Sequence, residues 1–251
     1  MAQQVIAWYQ SVDQGGAAAD LNVVPDETLF TSGDIIRVPN EISNAIGAVA
    51  LSGATTVTSA QLQAPSLRTL ANLDIEPFIN AIVFGSPPQV DWFGANPVAL
   101  IGNESLTFNT NTDHGSATGI YGLVWLSDGP AVPVSGESFT VRLTASISLS
   151  VGLWVNGNLT FTQDLPFGQY DVVGMRARGT NLVAARLVFP GGRWRPGVPA
   201  VNGIGDADFE PLRHGMSGVL GSFDSNQPPT LYALGVTDSA QTIFLDLIKV
   251  G

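Results

Sequence analysis

Two histidines are the first side chains to test for chemistry, because each stands in a polar, turn-like stretch. His114 lies in "TDHGS" and His214 lies in "LRHGM". Asp113, His114 and Ser116 supply the residue types of a hydrolase triad, but groups this close in sequence rarely reach triad geometry. The sequence also lacks the G-x-S-x-G motif that exposes the nucleophile of many hydrolases. We therefore predict that the protein is not an enzyme.

An acidic run in the second half of the chain has the spacing of metal ligands. Asp206, Asp208 and Glu210 in "GDADFEP" place carboxylates at alternate positions, as in a calcium-binding loop. The run lacks the glycine and the distal glutamate of an EF-hand. Asp208 and Glu210 also have counterparts in Asp74 and Glu76 of "LDIEPF". We expect a role in a shared fold, with metal binding by the three carboxylates as the second interpretation, and we expect no cofactor.

Tryptophan is the other residue type that can mark a binding site. Trp194 stands between Arg193 and Arg195 in "GGRWRPG", where an indole can stack on a ligand or contact another subunit. Trp125 and Trp154 lie in apolar, strand-like stretches and are expected in the core. No pair of acids is marked out for glycoside hydrolysis, and no phosphate-binding loop occurs. Arg193, Trp194 and Arg195 are therefore candidate interface residues.

Composition and charge exclude several classes of protein. The 251 residues include no cysteine, which rules out disulfides, thiolate metal sites and cysteine nucleophiles. The net charge is −11, and a chain this acidic is poorly suited to nucleic acid, which needs clustered lysine and arginine. Residues 1–128 carry 12 acids and 2 arginines, whereas residues 129–251 carry 9 acids and 8 bases. This asymmetry indicates either two differently solvated surfaces or two modules that meet different neighbours.

The N-terminal segment has large apolar residues at helical spacing. Val5, Trp8 and Tyr9 share one face of a short predicted helix that Gly15-Gly16 would end. Two interpretations stay open, a frayed tail and a docking arm over residues 1–19. In the second interpretation, Val5, Trp8 and Tyr9 are candidate interface residues against a partner subunit or a membrane.

From about residue 20 onward, the sequence has the two-residue period of β-strands. In "FTVRLTASISLS", which starts at Phe139, apolar and polar residues alternate as in a strand with one face in a core. "TGIYGLVWLSDG" and "TIFLDLIKVG" read as buried strands that close each half of the chain. Asn156-Gly157 predicts a two-residue hairpin turn. With 28 glycines and 16 prolines for tight turns, the chain is predicted to be all-β.

A weak internal repeat divides the strand-rich sequence into two copies. "SAQLQAPSLR", from Ser59, matches "AARLVFPGGR", from Ala184, at four of ten positions. In the same order, "IGAVALSG" meets "VGMRARG", "LDIEPF" meets "ADFEPL", and "SATGIYGLVWL" meets "SAQTIFLDLIK". The offsets stay between 123 and 134 residues, as a duplicated domain with loop insertions would produce. The loop after Arg193 is nine residues longer than its counterpart in the first copy.

The length of each copy sets the expected architecture. About 110–120 strand-rich residues suit one antiparallel sandwich of some eight strands, whereas a single sandwich of the whole chain would need very long loops. We therefore predict two tandem antiparallel β-sandwiches, at residues 20–130 and 131–251, preceded by an N-terminal arm or helix at residues 1–19.

A cysteine-free, acidic chain with these repeat anchors resembles the double jelly-roll major capsid proteins of icosahedral, often membrane-containing, bacterial viruses. Corticoviruses, tectiviruses and the finnlakevirus type are examples. The resemblance covers residues 20–251 and is architectural. It implies two jelly rolls per chain, a homotrimeric pseudo-hexameric capsomer, and a place in the virion shell after assembly in the host cytoplasm. It also implies other capsid proteins as partners, with the N-terminal arm near a neighbouring capsomer or an internal membrane.

A second function stays open beside this one. Paired β-sandwich modules also form non-catalytic carbohydrate-binding or host-attachment proteins. Such a protein would carry exposed aromatic side chains at matching loop ends and would be a monomer or a small oligomer. Both functions predict a protein that binds or assembles and makes no direct contact with nucleic acid.

Overall fold

Strands form nearly all of the regular structure in the described part of this chain. The computed structural model describes residues 1–11, 18–25, 31–32, 35–52, 59–67, 73–75, 77–79, 90–111, 119–201, 210–237 and 239–251. In these ranges the only helical elements are short 3-10 turns such as Asn40–Ile42. The all-β prediction is therefore confirmed. No helix among these residues has the length and apolar character needed to cross a membrane.

The described strands fall into two groups that do not pair with each other. Those of the N-terminal half are β1 (Gln3–Gln10), β2 (Ala18–Asp20), β3 (Asn22–Val23), β4 (Thr31–Ser32), β5 (Ile35–Arg37), β6 (Asn44–Ser52), β7 (Ala60–Gln63), β8 (Leu73–Ile75), β9 (Pro77–Ile79), β10 (Asp91–Trp92), β11 (Val98–Ala99), β12 (Ser105–Asn111) and β13 (Ile120–Ser127). Those of the C-terminal half are β14 (Ser138–Ala145), β15 (Val155–Asn158), β16 (Thr160–Phe161), β17 (Gln169–Arg178), β18 (Leu182–Val188), β19 (Gly197–Val201), β20 (Gly221–Asp224), β21 (Thr230–Gly235) and β22 (Gln241–Lys249).

The described strands form three sheets. In the N-terminal half, sheet N1 has the order β3-β1-β13-β6, with β9, β10 and β11 also on β6, and sheet N2 has the order β5-β12-β7-β8, with β2 also on β12 and β4 on β5. In the C-terminal half, one nine-stranded sheet has the order β15-β21-β18-β19-β17-β22-β14-β16, with β20 also on β17. The parallel pair β17–β19 joins its two parts, which we call sheet C1 (β16-β14-β22-β17-β20) and sheet C2 (β15-β21-β18-β19). The described pairs are antiparallel except for two, β6 with β9 and β17 with β19.

The strand pairing repeats from one half to the other. Leu62 of β7 faces Phe108 of β12, and Leu187 of β18 faces Leu231 of β21, which are 125 and 123 positions further along. β19 pairs with both sheets of its half, antiparallel to β18 and parallel to β17. In the N-terminal half two adjacent strands make the equivalent pairings: β8 is antiparallel to β7, and β9 is parallel to β6. The two halves therefore share one topology.

The strand register corrects two anchors of the sequence repeat. Asp74 of β8 lies opposite Gln61, and Gly197 of β19 lies opposite Arg186, so β8 is equivalent to β19 at an offset of 123 and not to residues 207–212 at 134. Ala50 of β6 faces Gly122 of β13, and Ala177 of β17 faces Ile243 of β22. β13 and β22 are therefore related by 121 positions, although the sequence match related them by 123. A slip of two residues keeps every side chain on the same face of its strand, so the hydrophobic pattern alone does not reveal it.

Three apolar layers hold the sheets together. One layer lies between N1 and N2 and includes Trp8 and Phe108, and a second lies between C1 and C2 and includes Tyr170 and Phe223. The third, which we call the junction layer, packs N1 against C2. Its buried residues are Val5, Ala7, Val24, Ile46, Val49, Leu51, Tyr121, Leu123, Trp125, Val183, Ala184 and Leu234. Sheet N1 is therefore buried on both faces.

The prediction of an N-terminal helix or arm is wrong, because this segment contains the central strand β1. β1 pairs with β13 over its whole length and with β3. Trp8 points into the core between N1 and N2, while Val5 points into the junction layer. A continuous apolar run is typical of a strand buried on both faces. In such a run some apolar residues also have helical spacing, which led to the wrong prediction. Val5 and Trp8 are fully buried and have no surface for a partner or a membrane.

The predicted hairpin at Asn156-Gly157 is also wrong. Both residues lie within β15, opposite Tyr232 and Leu231 of β21, while the next strand, β16, belongs to the other sheet of this half. The glycine serves close packing, because a Cβ at Gly157 would collide with the side chain of Ile147.

Candidate functional site

Hydrogen bonds between described residues join the two halves at defined points of the junction layer. The indole nitrogen of Trp125 donates to the carbonyl oxygen of Gly197 at 2.8 Å. The hydroxyl of Tyr121 donates to the carbonyl oxygen of Gly235 at 3.3 Å. Burial raises the pKa of the Tyr121 hydroxyl far above its ordinary value, so the phenol remains protonated and continues to donate.

A single arginine is fully buried beside this layer. The guanidinium carbon of Arg186, in β18, lies 4.1 Å from the ring centroid of Trp154 and 5.2 Å from that of Tyr232. Its Nη1 donates to the carbonyl oxygen of Val5 at 3.4 Å. A planar, delocalised cation suits such stacking better than a lysine ammonium does. Arg186 thus ties sheet C2 to strand β1.

The loop with the candidate residues Arg193, Trp194 and Arg195 contacts the N-terminal half of the same chain. Nη1 of Arg193 lies 2.7 Å from Oε1 of Glu41, and its guanidinium stacks on Trp194 at 4.5 Å. Trp194 is half-buried against the core between N1 and N2. The backbone N–H of Arg195 donates to Oε1 of Gln4 at 2.9 Å. The connection between β18 and β19 is thus a strap across the junction of the halves. It has 8 residues, 189–196, against 9 between β7 and β8, so the predicted nine-residue insertion after Arg193 does not lie in this loop.

The ion pair of this strap lies in solvent, and we expect it to contribute little to stability. A hydrogen bond from its own backbone N–H and the nearby Arg193 lower the pKa of the Glu41 carboxyl. Both side chains are more than half exposed. We expect Arg193→Ala to leave the midpoint of urea denaturation nearly unchanged, because solvent screens an exposed ion pair. A clear fall in this midpoint would mean that the stacking on Trp194 stabilises the strap.

The described polar cluster that most resembles a catalytic site is not arranged for catalysis. The buried carboxylate of Asp246 accepts hydrogen bonds from Oγ1 of Thr140 at 2.6 Å and from the backbone N–H of His214 at 3.1 Å. Nδ1 of His214 lies 3.4 Å from Oγ of Ser138 and 3.7 Å from Oδ2 of Asp246. In a triad, serine and aspartate contact opposite ring nitrogens. Here both face the same nitrogen, so no proton relay can form.

The other predicted sites lie outside the described residues. This holds for the Asp113, His114 and Ser116 set and for the side chains of Asp206, Asp208 and Glu210. Among the side chains that the structure does describe, no three of His, Cys, Asp or Glu are grouped to hold a metal ion.

The outer face of sheet C1 carries a set of arginines, which we call the arginine face. It comprises Arg142 of β14, Arg176 and Arg178 of β17, and Phe244 of β22. The guanidinium carbons of Arg176 and Arg178 lie 4.9 and 5.5 Å from the ring centroid of Phe244. A cavity of about 420 Å³ opens beside them. Sequence reasoning missed this face, although "MRARG" places two arginines on one side of a predicted strand.

A larger, mainly apolar cavity lies where the two halves meet. Its volume is about 620 Å³, and its lining includes Trp92, Phe93, Pro133 and Met216. Met216 is 49% exposed. Among the lining residues that the structure describes, the cavity offers van der Waals contact and no grouping of acid, base and nucleophile.

No family model, curated protein or solved structure matches the chain. We therefore base the proposed function on the described structure. The main features of this structure are contacts between the faces of its sheets.

Proposed function

We propose that this protein is a viral major capsid protein, a double jelly roll that forms homotrimeric, pseudo-hexameric capsomers of an icosahedral virion shell. The observation that carries the proposal is the strand order of the two halves. A jelly roll has eight strands, B to I, in sheets of order B-I-D-G and C-H-E-F. In the C-terminal half, β14-β22-β17-β20 follows the first order and β15-β21-β18-β19 follows the second. In the N-terminal half, β1-β13-β6-β11 and β2-β12-β7-β8 follow the same two orders.

The contact between the halves gives further support to an assembly role. It joins a sheet of one kind, N1, to a sheet of the other kind, C2. Such a heterologous contact uses different surfaces on its two sides and leaves the outer faces of C1 and N2 outside it, so these two faces can make the same kind of contact between chains. Head-to-tail repetition by three chains gives a closed ring of six similar units.

The test of this function is the mass and shape of the protein in solution. We expect light scattering to give three times the chain mass of 26.3 kDa, and negative-stain images to show particles with a hexagonal outline. At higher concentration the particles should form sheets or shells. A monomer at every concentration would contradict the proposal.

A carbohydrate-binding function has less support. It requires exposed aromatic side chains at matching loop ends. All five tryptophans lie in the described part of the chain, and each is buried or half-buried. Trp8 and Trp125 are fully buried, and Trp194 packs on the core of the N-terminal half. A monomer that binds sugars would nevertheless decide in favour of this alternative.

A further inference from the structure

The arginine face of C1 and the face of N1 in the junction layer occupy equivalent positions in the two halves, as the strand register shows. Three neighbouring apolar residues of N1 face the C-terminal half: Ala7, Leu123 and Val49. The equivalent positions of C1, on β14, β22 and β17, carry Arg142, Phe244 and Arg176. In the next row, Leu51 of N1 corresponds to Arg178 of C1. The same surface of the repeat is thus apolar in one copy and basic in the other.

The two surfaces also differ in what covers them. In N1 the residues of this face are buried under sheet C2. In C1 the outward side chains of β14, which are Thr140, Arg142 and Thr144, are exposed. Arg176 lies 3.7 Å from the buried carboxylate of Asp246, and strand register places Asp171 on the same outer face, so among the described residues three arginines share this surface with two acids. The arginine face is therefore a net positive patch on a chain whose net charge is −11.

The surface that covers N1 also has a counterpart in the other half. On the outer face of C2, Arg186 lies opposite Tyr232. The equivalent residues of N2 are Gln61 and Asn109, which lie opposite each other on β7 and β12. At equivalent positions, the outer face of N2 therefore carries polar amides, whereas the outer face of C2 carries an arginine stacked on aromatic rings.

A carboxylate accompanies these amides on N2. Nδ2 of Asn109 donates to Oδ1 of Asp20 at 2.8 Å. We call the surface of Asp20, Gln61, Gln63, Thr107 and Asn109 the amide face. It lies in the half of the chain that has 12 acids and 2 arginines.

We propose that the arginine face of one chain docks on the amide face of a second copy of the same chain. This inference rests on the proposed trimer and names the two surfaces that close it. In this contact, C1 of one chain would pack on N2 of the next chain with the geometry that N1 and C2 have within one chain. Charged and polar groups would replace the apolar side chains of the junction layer.

A second copy fits this surface better than other occupants do. Guanidinium groups bind carboxylate and amide oxygens through directed hydrogen bonds, and the amide face offers both kinds of acceptor. The stacking of Arg176 and Arg178 on Phe244 fixes their direction before docking, which lowers the entropic cost of binding. The contact inside the chain supplies the geometry. The positive arginine face and the strongly acidic balance of the N-terminal half, 12 acids to 2 arginines, supply the orientation.

Charge reversal tests the proposal. We expect Arg142→Glu with Arg178→Glu to raise the dissociation constant of the trimer at least tenfold, measured by sedimentation velocity over a concentration series. Asp20→Lys with Gln61→Lys should weaken the trimer in the same way. The variant with all four changes should recover at least part of the affinity, because the complementary charges are restored with reversed signs. Raising the salt concentration should weaken the wild-type trimer.

The matched control is Lys249→Glu, which makes the same charge change as the single variant Arg142→Glu on an exposed side chain at the end of β22. It should leave the dissociation constant within about twofold of the wild type. Circular dichroism checks that each variant is folded, and the single change Arg142→Glu, on an exposed side chain, serves if a double variant unfolds. A wild-type trimer that the reversals do not weaken would overturn this inference and leave the proposed function standing. A wild-type monomer would overturn the proposed function itself.

Discussion

Replacing Trp125 by alanine is expected to lower the free energy of unfolding by about 3–5 kcal/mol. Trp125 is fully buried in the junction layer, and its ring meets that of Trp92 edge-on, with centroids 6.5 Å apart. The change removes these contacts and leaves the carbonyl oxygen of Gly197 without its donor at 2.8 Å. Urea denaturation followed by circular dichroism measures the loss.

Two control variants separate the causes. Trp125→Phe retains an aromatic ring but removes the hydrogen bond to Gly197, and should cost less than the alanine variant, about 1–3 kcal/mol. Phe167→Ala, at a side chain that is 76% exposed, should stay within about 0.5 kcal/mol of the wild type. If Trp125→Ala were as stable as Phe167→Ala, the junction layer would not hold the halves together.

Replacing Arg186 by alanine is expected to lower the free energy of unfolding by about 2–5 kcal/mol. The change empties the space between the rings of Trp154 and Tyr232. It also removes the donor to the carbonyl oxygen of Val5 in β1. Because these groups belong to both halves, we expect the whole variant chain to unfold in one transition, at a lower denaturant concentration than the wild type.

The repeat supplies a matched control for this variant. Gln61 occupies the position equivalent to Arg186 on the half-buried outer face of N2, and Gln61→Ala should stay within about 0.5 kcal/mol of the wild type in the monomer. Arg186→Lys retains the charge but loses the planar group, so it should recover less than half of the lost stability. Full recovery by lysine would show that charge, rather than stacking, is what the site requires.

The fold class could be predicted from sequence because each half depends on local patterns. The period of two in β14 and the apolar runs of β13 and β22 identified these strands. β1 could not be assigned in this way, since a strand buried on both faces has no alternation to read. Its place depends on β13, more than a hundred residues away. The predicted offset between β13 and β22 was wrong by two positions for a related reason. The register of a strand depends on the strands it pairs with, which local sequence does not specify.

The candidate site was predictable only in part. Arg193, Trp194 and Arg195 do lie at an interface, but the described contacts are with the other half of their own chain. The arginine face needs β14, β17 and β22 side by side, an arrangement that no local pattern supplies. Arg186 did give a signal, because a lone charge within the apolar run "LVAARLVF" is typical of a buried residue with dedicated contacts.

The double burial of sheet N1 sets an order of events during synthesis. The pairing of β1 and β6 with β13 can be complete once the chain has been made as far as Ser127. The strands that cover the outer face of this sheet, β18 and β21, emerge more than fifty residues later. In that interval the N-terminal half presents an apolar surface to the cell. We therefore expect the nascent chain to be prone to aggregation or chaperone binding until its C-terminal half has folded over sheet N1.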